Sequence, residues 1–250
     1  MQRSATGRIY FWEGGSLWIG TAHGSAHFHD HHAIQLSLAF SGLVRFRTRT
    51  EGWRVYSAVM IPPHLSHAFE ATSDFIAQIF VEPETAEGRA LLARFGTGGL
   101  VELPYTELRE HAEALRATYE KERTLPPLYA AAKRIIDALA GTSAPRVLDQ
   151  RIARTIRFLA ERVENPPSLA EAASHVALSP GRFRHLFVAQ TGQSFRSYLL
   201  WLRLQRAIEV LSVGKTATEA AHSAGFADAA HLTRTFRRMM GIVPSFLDID

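Results

Sequence analysis

The sequence predicts an α+β protein of two domains, a β-rich N-terminal part and an all-helical C-terminal part. Three observations carry that expectation. Up to about Glu82 apolar and polar residues alternate at the period of half-buried strands. From about Ala86 onward the texture is helical, interrupted at 141–146 by GTSAPR, the best linker in the chain. The part after that linker contains an internal repeat, each copy of which opens on a helix-capping signature. The expected boundaries are 1–140, a linker at 141–146, and 147–250.

Bulk properties bound the answer before any motif does. A chain of 250 residues can bury two cores of ordinary size. Hydrophobic content of 46% with 21% charged residues belongs to a folded globular chain. Zero cysteines exclude disulfides, thiolate metal ligands and thiol nucleophiles, and with the last of these alkyl-transfer repair chemistry. No apolar run approaches the ~18 residues of a membrane span, and the opening MQRSATGRIYFWEGG has no signal-peptide core. A cytoplasmic protein without a membrane partner is expected. The net charge of +4 is concentrated at one end, since 147–250 holds 13 Lys/Arg against 9 Asp/Glu and the remainder balances. Between Ser179 and Arg206 lie five arginines and no carboxylate, the pattern of a surface that meets a polyanion.

In the first part, AIQLSLAF alternates Ile34, Leu36, Leu38 and Phe40 with Gln35, Ser37 and Ala39, and VRFRTRT alternates again. SGL, TEGW and IPPH punctuate these runs with turn chemistry, so a sandwich or small barrel is expected. Ahead of the first run, HFHDHH packs four histidines into six positions. Placed on one strand, His29, His31 and Gln35 share a face by period-two alternation and converge on one pocket. His27 and His32 are expected to be exposed, and Trp12, Trp18 and Trp53 to be core, or else to line that pocket.

Two helices follow. TELREHAEALRATYEKER places Leu108, Leu115 and Tyr119 on one side, and PPLYAAAKRIIDALAG starts on prolines and stops at Gly141. Both are candidate dimer contacts, or else pack within the molecule on the barrel.

The repeat is the most specific feature. Its copies are SLAEAASHVALSPGRFRHLFVAQTGQSF (168–195) and TATEAAHSAGFADAAHLTRTFRRMMGIVPSF (216–246). Ser168 with Glu171, and Thr216 with Glu219, form capping boxes. Ala172–Ala173 and Ala220–Ala221 let a second helix approach closely, and Ser179 and Asp228 cap that second helix. Phe183 and Phe187, and Leu232 and Phe236, lie four apart on its inner face, while Gly192 and Gly241 stand where it stops. Two short helices joined by a tight turn, the second one basic, describe a helix-turn-helix, here twice.

Residues 147–247 resemble the DNA-binding domain of the AraC/XylS family of transcription regulators. The resemblance takes in a leading helix (Val147–Glu164), the linker helix SFRSYLLWLRLQRAIEVL and the signature AGFADAAHLTRTFRRMMGIVPSFL. It implies a sequence-specific regulator, not an enzyme, that binds double-stranded DNA, acts as a homodimer and touches RNA polymerase where it activates. A linker helix over Ser194–Leu211 would be about 27 Å long, against roughly 34 Å between adjacent major grooves. The outward residues Arg182, Arg184, His185, Ala230, His231, Arg234 and Arg237 are the candidate DNA contacts, joined by Arg196. Arg184 is the best base reader, because a guanidinium binds guanine O6 and N7 bidentately. Arg196, Arg203, Lys215 and Arg238 are phosphate contacts or solvated charges. Gly181, Ala229 and Ala230 offer only backbone or methyl contact, so the second helix discriminates less.

The N-terminal part is similar to the cupin-like sensory domain found in that family. The cupin pattern H-x-H-x3-E-x6-G reads here as His29, His31, Gln35 and Gly42, with His67 as the companion histidine. The resemblance implies a β-barrel sensor in which His29, His31, Gln35 and His67 bind an unknown small-molecule effector. No cofactor is required. A divalent metal on His29, His31 and His67 is the other reading, opposed by Gln35 in place of a carboxylate. The alternative function is a cupin-type metalloenzyme fused to a DNA-binding domain.

Overall fold

A computed structural model describes residues 5–141 and 147–249. Apart from Gly141, the predicted linker lies outside those residues. The chain forms two compact units, Met1–Pro145 with Arg237–Asp250, and Arg146–Phe236. The last residues thus group with the first unit and not with the helices that precede them, because the segment after Met240 joins the N-terminal sheet.

The first unit is a sheet backed by helices. Its strands are β1 (Ala5–Trp12), β2 (Gly15–His29), β3 (Ile34–Ala39), β4 (Leu43–Thr48), β5 (Arg54–Val55), β6 (Ala58–Ile61), β7 (His67–Val81), β8 (Val101–Glu102) and β9 (Leu247–Ile249). Helices α1 (Ala86–Phe95), α2 (Tyr105–Lys121) and α3 (Leu125–Ala140) lie between and after them. The order is β8-β6-β3-β7-β2-β1-β9, with β4 and β5 off that path. All pairs are antiparallel except β1 with β9. The sheet does not close into the expected barrel. The reason lies in β7, a 15-residue strand that serves β3 with its second half and β4 with its first, while β2 runs along its other edge. Helical texture from Ala86 is likewise broken by β8, which pairs with β6.

Two apolar layers result. Leu17, Ile34, Leu36, Leu38, Met60 and Ile79 face Leu108, Leu115, Leu128 and Ile135 of α2 and α3, all at most 2% exposed. On the other side Val44, Phe46, Val59, Ile61, Ala71 and Ile76 form a second cluster. Each fully buried Leu, Ile or Phe removes enough apolar surface from water for about 1.5–3 kcal/mol.

The second unit holds α4 (Gln150–Ala160), α5 (Leu169–His175), α6 (Pro180–Thr191), α7 (Phe195–Ser212), α8 (Ala217–Ser223) and the first two turns of α9 (Ala229–Met240). The leading helix is shorter than predicted, since Asp149 caps it from outside and it ends at Ala160. Both capping boxes are formed, with Ser168 Oγ and Thr216 Oγ1 accepting from the Glu171 and Glu219 amides. Ser179 Oγ accepts from the Arg182 amide, Asp228 Oδ1 from the His231 amide at 2.6 Å, and Gly192 ends α6 in the left-handed conformation. Phe183, Phe187, Leu232 and Phe236 are 0% exposed, and Ala172, Ala173, Ala220 and Ala221 at most 2%. Small residues on α5 therefore seat the large ones of α6, and their counterparts on α8 and α9 are buried to the same degree.

Candidate nucleic-acid interface and ligand pocket

With Phe183 and Phe187 turned inward, the helical period leaves Arg182, Arg184 and His185 exposed on α6. On α9 the same geometry exposes Ala230, Arg234 and Arg237, and Arg196 is exposed at the start of α7. His231 differs: its ring packs edge-on against Phe226 at 5.2 Å and is half-buried. Arg203 differs from the phosphate contact or solvated charge expected of it. Its Nε is buried without a hydrogen-bond partner, and burial lowers its pKa. The exposed set carries five arginines and no carboxylate, a surface that attracts phosphate at long range and offers guanidinium forks at contact.

In the first unit the structure brings His29, His31, Gln35 and His67 together, by a different route from one shared strand. His29 ends β2 after an irregularity between Ala26 and His29, His31 stands in the β2–β3 loop, and Gln35 lies in β3. Pairing places His67, the first residue of β7, opposite His29 on one side and Thr48 on the other. Ring centroids are 4.2 Å apart for His29–His67, 5.2 Å for His31–His67 and 5.8 Å for His29–His31.

The second nitrogens are tied down. Nδ1–H of His29 donates to the His27 carbonyl at 2.7 Å, that of His67 to Leu65 at 2.9 Å and that of His31 to Ala33 at 2.9 Å. Gln35 meets His31 Nε2 at 2.9 Å and reaches Ser37 at 3.0 Å. The Gln35 amide nitrogen donates to Ser37 Oγ, and its Oε1 is the atom that faces His31 Nε2. Burial lowers all three histidine pKa values. His29 falls to about 3, from burial first and the His31 charge second, and His67 goes well below its usual value from burial, His29 and His31. The three rings each bring a nitrogen within 4.8 Å of the others, that of His31 also being met by Gln35. His67 Nε2 is buried and has no hydrogen-bond partner.

These side chains border a cavity of about 110 Å³ that His29, Gln35 and His67 line together with Arg8, Trp18 and Phe80. Met240 and Ile242 also line it, and the amide of His27 donates to the carbonyl of Gly241 at 3.0 Å. Gly241 sits at φ 72°, and a Cβ there would stand 2.5 Å from His29 Nδ1. Only glycine combines that conformation with that approach. The tryptophans are not the full core expected. Trp12, Trp18 and Trp53 are each half-buried, and Trp18 faces the cavity.

A second polar cluster escaped the sequence reading. His32, expected at the surface, is 2% exposed. Its Nε2–H donates to Glu84 at 2.9 and 3.1 Å, with Glu82 at 4.0 Å, and its Nδ1 meets His64 Nε2 at 3.2 Å. Burial works against its charge, but the hydrogen bond and charges of Glu84 and then Glu82 prevail and raise its pKa. The only signal was the acidic pair in VEPET, some fifty positions away.

Comparison with known proteins adds three findings. A helix-turn-helix domain family matches residues 172–247. Curated relatives include the probable transcriptional regulator LumQ of Photobacterium leiognathi, 24% identical over 92% of this chain and 95% of its own. The HTH-type transcriptional regulator NimR of Escherichia coli is also 24% identical, over 91% of this chain and 84% of its own. The fold is similar to the crystal structure of ToxT from Vibrio cholerae, with a TM-score of 0.61 at 12% identity over 94% of this chain and 96% of that one. A structure of ToxT bound to an unsaturated fatty acid matches with a TM-score of 0.58 at 11% identity over 98% and 96%.

Proposed function

We propose that this chain is a transcription regulator of the AraC/XylS type, in which α6 and α9 read base edges in double-stranded DNA while the histidine cavity receives the effector. The observation that carries the DNA reading is the duplicated, doubly capped helix pair whose outer face is arginine without acid. Arg184 and Arg234 read bases, Arg182, Arg237 and Arg196 hold phosphates, His185 adds an acceptor contact, and Ala230 offers its methyl. His231 contributes least, being packed on Phe226.

ToxT, of the same fold, has been crystallised with a fatty acid. A cavity of about 110 Å³ suits a smaller molecule here. The effector acts by shifting the balance between DNA-competent and DNA-incompetent states, for which it must bind one state more tightly than the other. The regulator works in the cytoplasm as a homodimer, with α2 and α3 as dimer contacts, and meets RNA polymerase where it activates. Binding, not turnover, is its task.

Selection of bound fragments from random DNA by the full chain, at near-physiological salt, tests the reading. One enriched motif with two half-sites about 10 base pairs apart is expected. A folded chain that enriches no motif refutes base reading by these helices.

A further inference from the structure

We propose that the outer face of β4 is a second DNA-contacting surface, which holds phosphates of the duplex through Arg47 and Arg49. The inference goes beyond the regulator reading above and rests on it for the identity of the polyanion.

The balance of charge over the first part of the chain conceals a local excess. Residues 43–56 carry Arg45, Arg47, Arg49 and Arg54 against Glu51 alone. The strand period turns Val44, Phe46 and Thr48 inward, where all three are buried, and sends Arg45, Arg47 and Arg49 to the other side. Two aromatic rings stand among those arginines. The guanidinium of Arg49 lies over Phe28 at 3.9 Å and that of Arg45 over Trp53 at 5.1 Å. Arg47 is shared, at 4.9 Å from Phe28 and 4.8 Å from Trp53. The five side chains thus form one connected series. Cation–π contact holds each guanidinium in place, so less side-chain freedom is lost when an anion binds.

Carboxylates reach only the margins of this series. Glu70 accepts from Arg45 Nε at 2.6 Å, and Glu102 stands 3.9 Å from Arg54. Among the described residues Arg47 and Arg49 have no carboxylate partner, and Arg47 Nε is buried without a hydrogen bond. Two like charges with one ring between them repel, and an anion laid across both relieves that repulsion.

The same contacts select the part of a nucleic acid that fits. Phe28 and Trp53 are each engaged by two guanidiniums already, which argues against stacking of bases on them. What remains is the set of in-plane N–H donors, whose geometry matches phosphate oxygens. Local concentration favours DNA over an acidic protein. Once α6 and α9 hold a duplex, its other phosphates are present at high effective concentration for a second basic face of the same chain. Such contacts add affinity and no sequence information.

Full-length protein is titrated with a long fluorescent duplex of random sequence over about 50–200 mM salt, and separately with poly-L-glutamate as the rival polyanion. Arg47→Gln combined with Arg49→Gln is expected to lower the slope of log K against log salt by about 1.8, two phosphates at about 0.9 each. The loss is equal on every duplex sequence, unlike that from Arg184→Ala. Arg47→Lys combined with Arg49→Lys keeps the charges and most of the slope; a loss as large as that from the Gln pair would mean packing alone and overturn the inference. Arg49→Glu, at an exposed position just past β4, lowers the slope by at least about 0.9 and disturbs no buried group. An unchanged slope in both the Gln pair and Arg49→Glu overturns the inference. So does loss of poly-L-glutamate binding with DNA binding intact, because the partner is then an acidic protein segment. A chain that enriches no motif yet loses slope in these variants overturns the regulator reading instead and leaves this face standing.

Discussion

At the scale of single residues, the three cavity histidines tie stability to pH with a definite sign. Each has a folded pKa below the unfolded value of about 6.5. Below pH 6.5 the unfolded chain takes up protons that the folded His29 refuses until about pH 3, so stability is complete above 6.5 and falls as pH drops. His32 acts in the opposite sense, because its raised pKa stabilises below 6.5 and the contribution is lost as pH rises through it. Urea titrations of metal-free protein between pH 7 and 4 should show falling stability, with a shallower slope for His29→Gln; identical slopes would remove burial of neutral histidine as the cause. On the DNA face, Arg184→Ala should cost about 1–3 kcal/mol at one base position, whereas Arg196→Ala should weaken all sequences alike and lower the salt slope by about 1. Competition binding on single-base operator variants separates the two. A uniform loss from Arg184→Ala would make it a phosphate contact.

At the scale of elements, caps and inner aromatics divide the work of the helix-turn-helix units. Ser168→Ala and Thr216→Ala each remove an acceptor for the first turn of a seven-residue helix, for about 0.5–2 kcal/mol by chemical denaturation. Phe183→Ala empties a fully buried site beneath α5 and should cost about 3–5 kcal/mol, with DNA binding lost in proportion to the unfolded fraction. These elements were legible because their signals are local: a cap and its glutamate lie three residues apart, and Phe183 and Phe187 four. The β-domain was less so. Alternation placed His29, His31 and Gln35 on one strand, while the chain leaves β2 at His29 and re-enters as β3 at Ile34. The side chains do come together, but through the turn between β2 and β3 and not along one strand. His32 was out of reach, because its partner Glu84 lies on a different segment and nothing in HFHDHH distinguishes a solvated imidazole from a paired one.

At the scale of the whole molecule, the sheet was predicted but its ends were not. Nothing in GIVPSFLDID marks a strand that pairs with the first one, because parallel pairing of such short segments leaves no periodicity to read. Leu247, Asp248 and Ile249 run beside Ala5, Thr6 and Gly7, so the outer edge of β1 is covered by β9, a strand far away in the sequence. That has a consequence for synthesis. A ribosome adds about 5–20 residues per second, and about 235 residues separate the end of β1 from the start of β9. The outer amides and carbonyls of β1 therefore wait roughly 12–50 s for their partner. During that interval every nascent chain on a polysome shows its neighbours an open strand. Slow translation lengthens the time in which a nascent chain can pair with another.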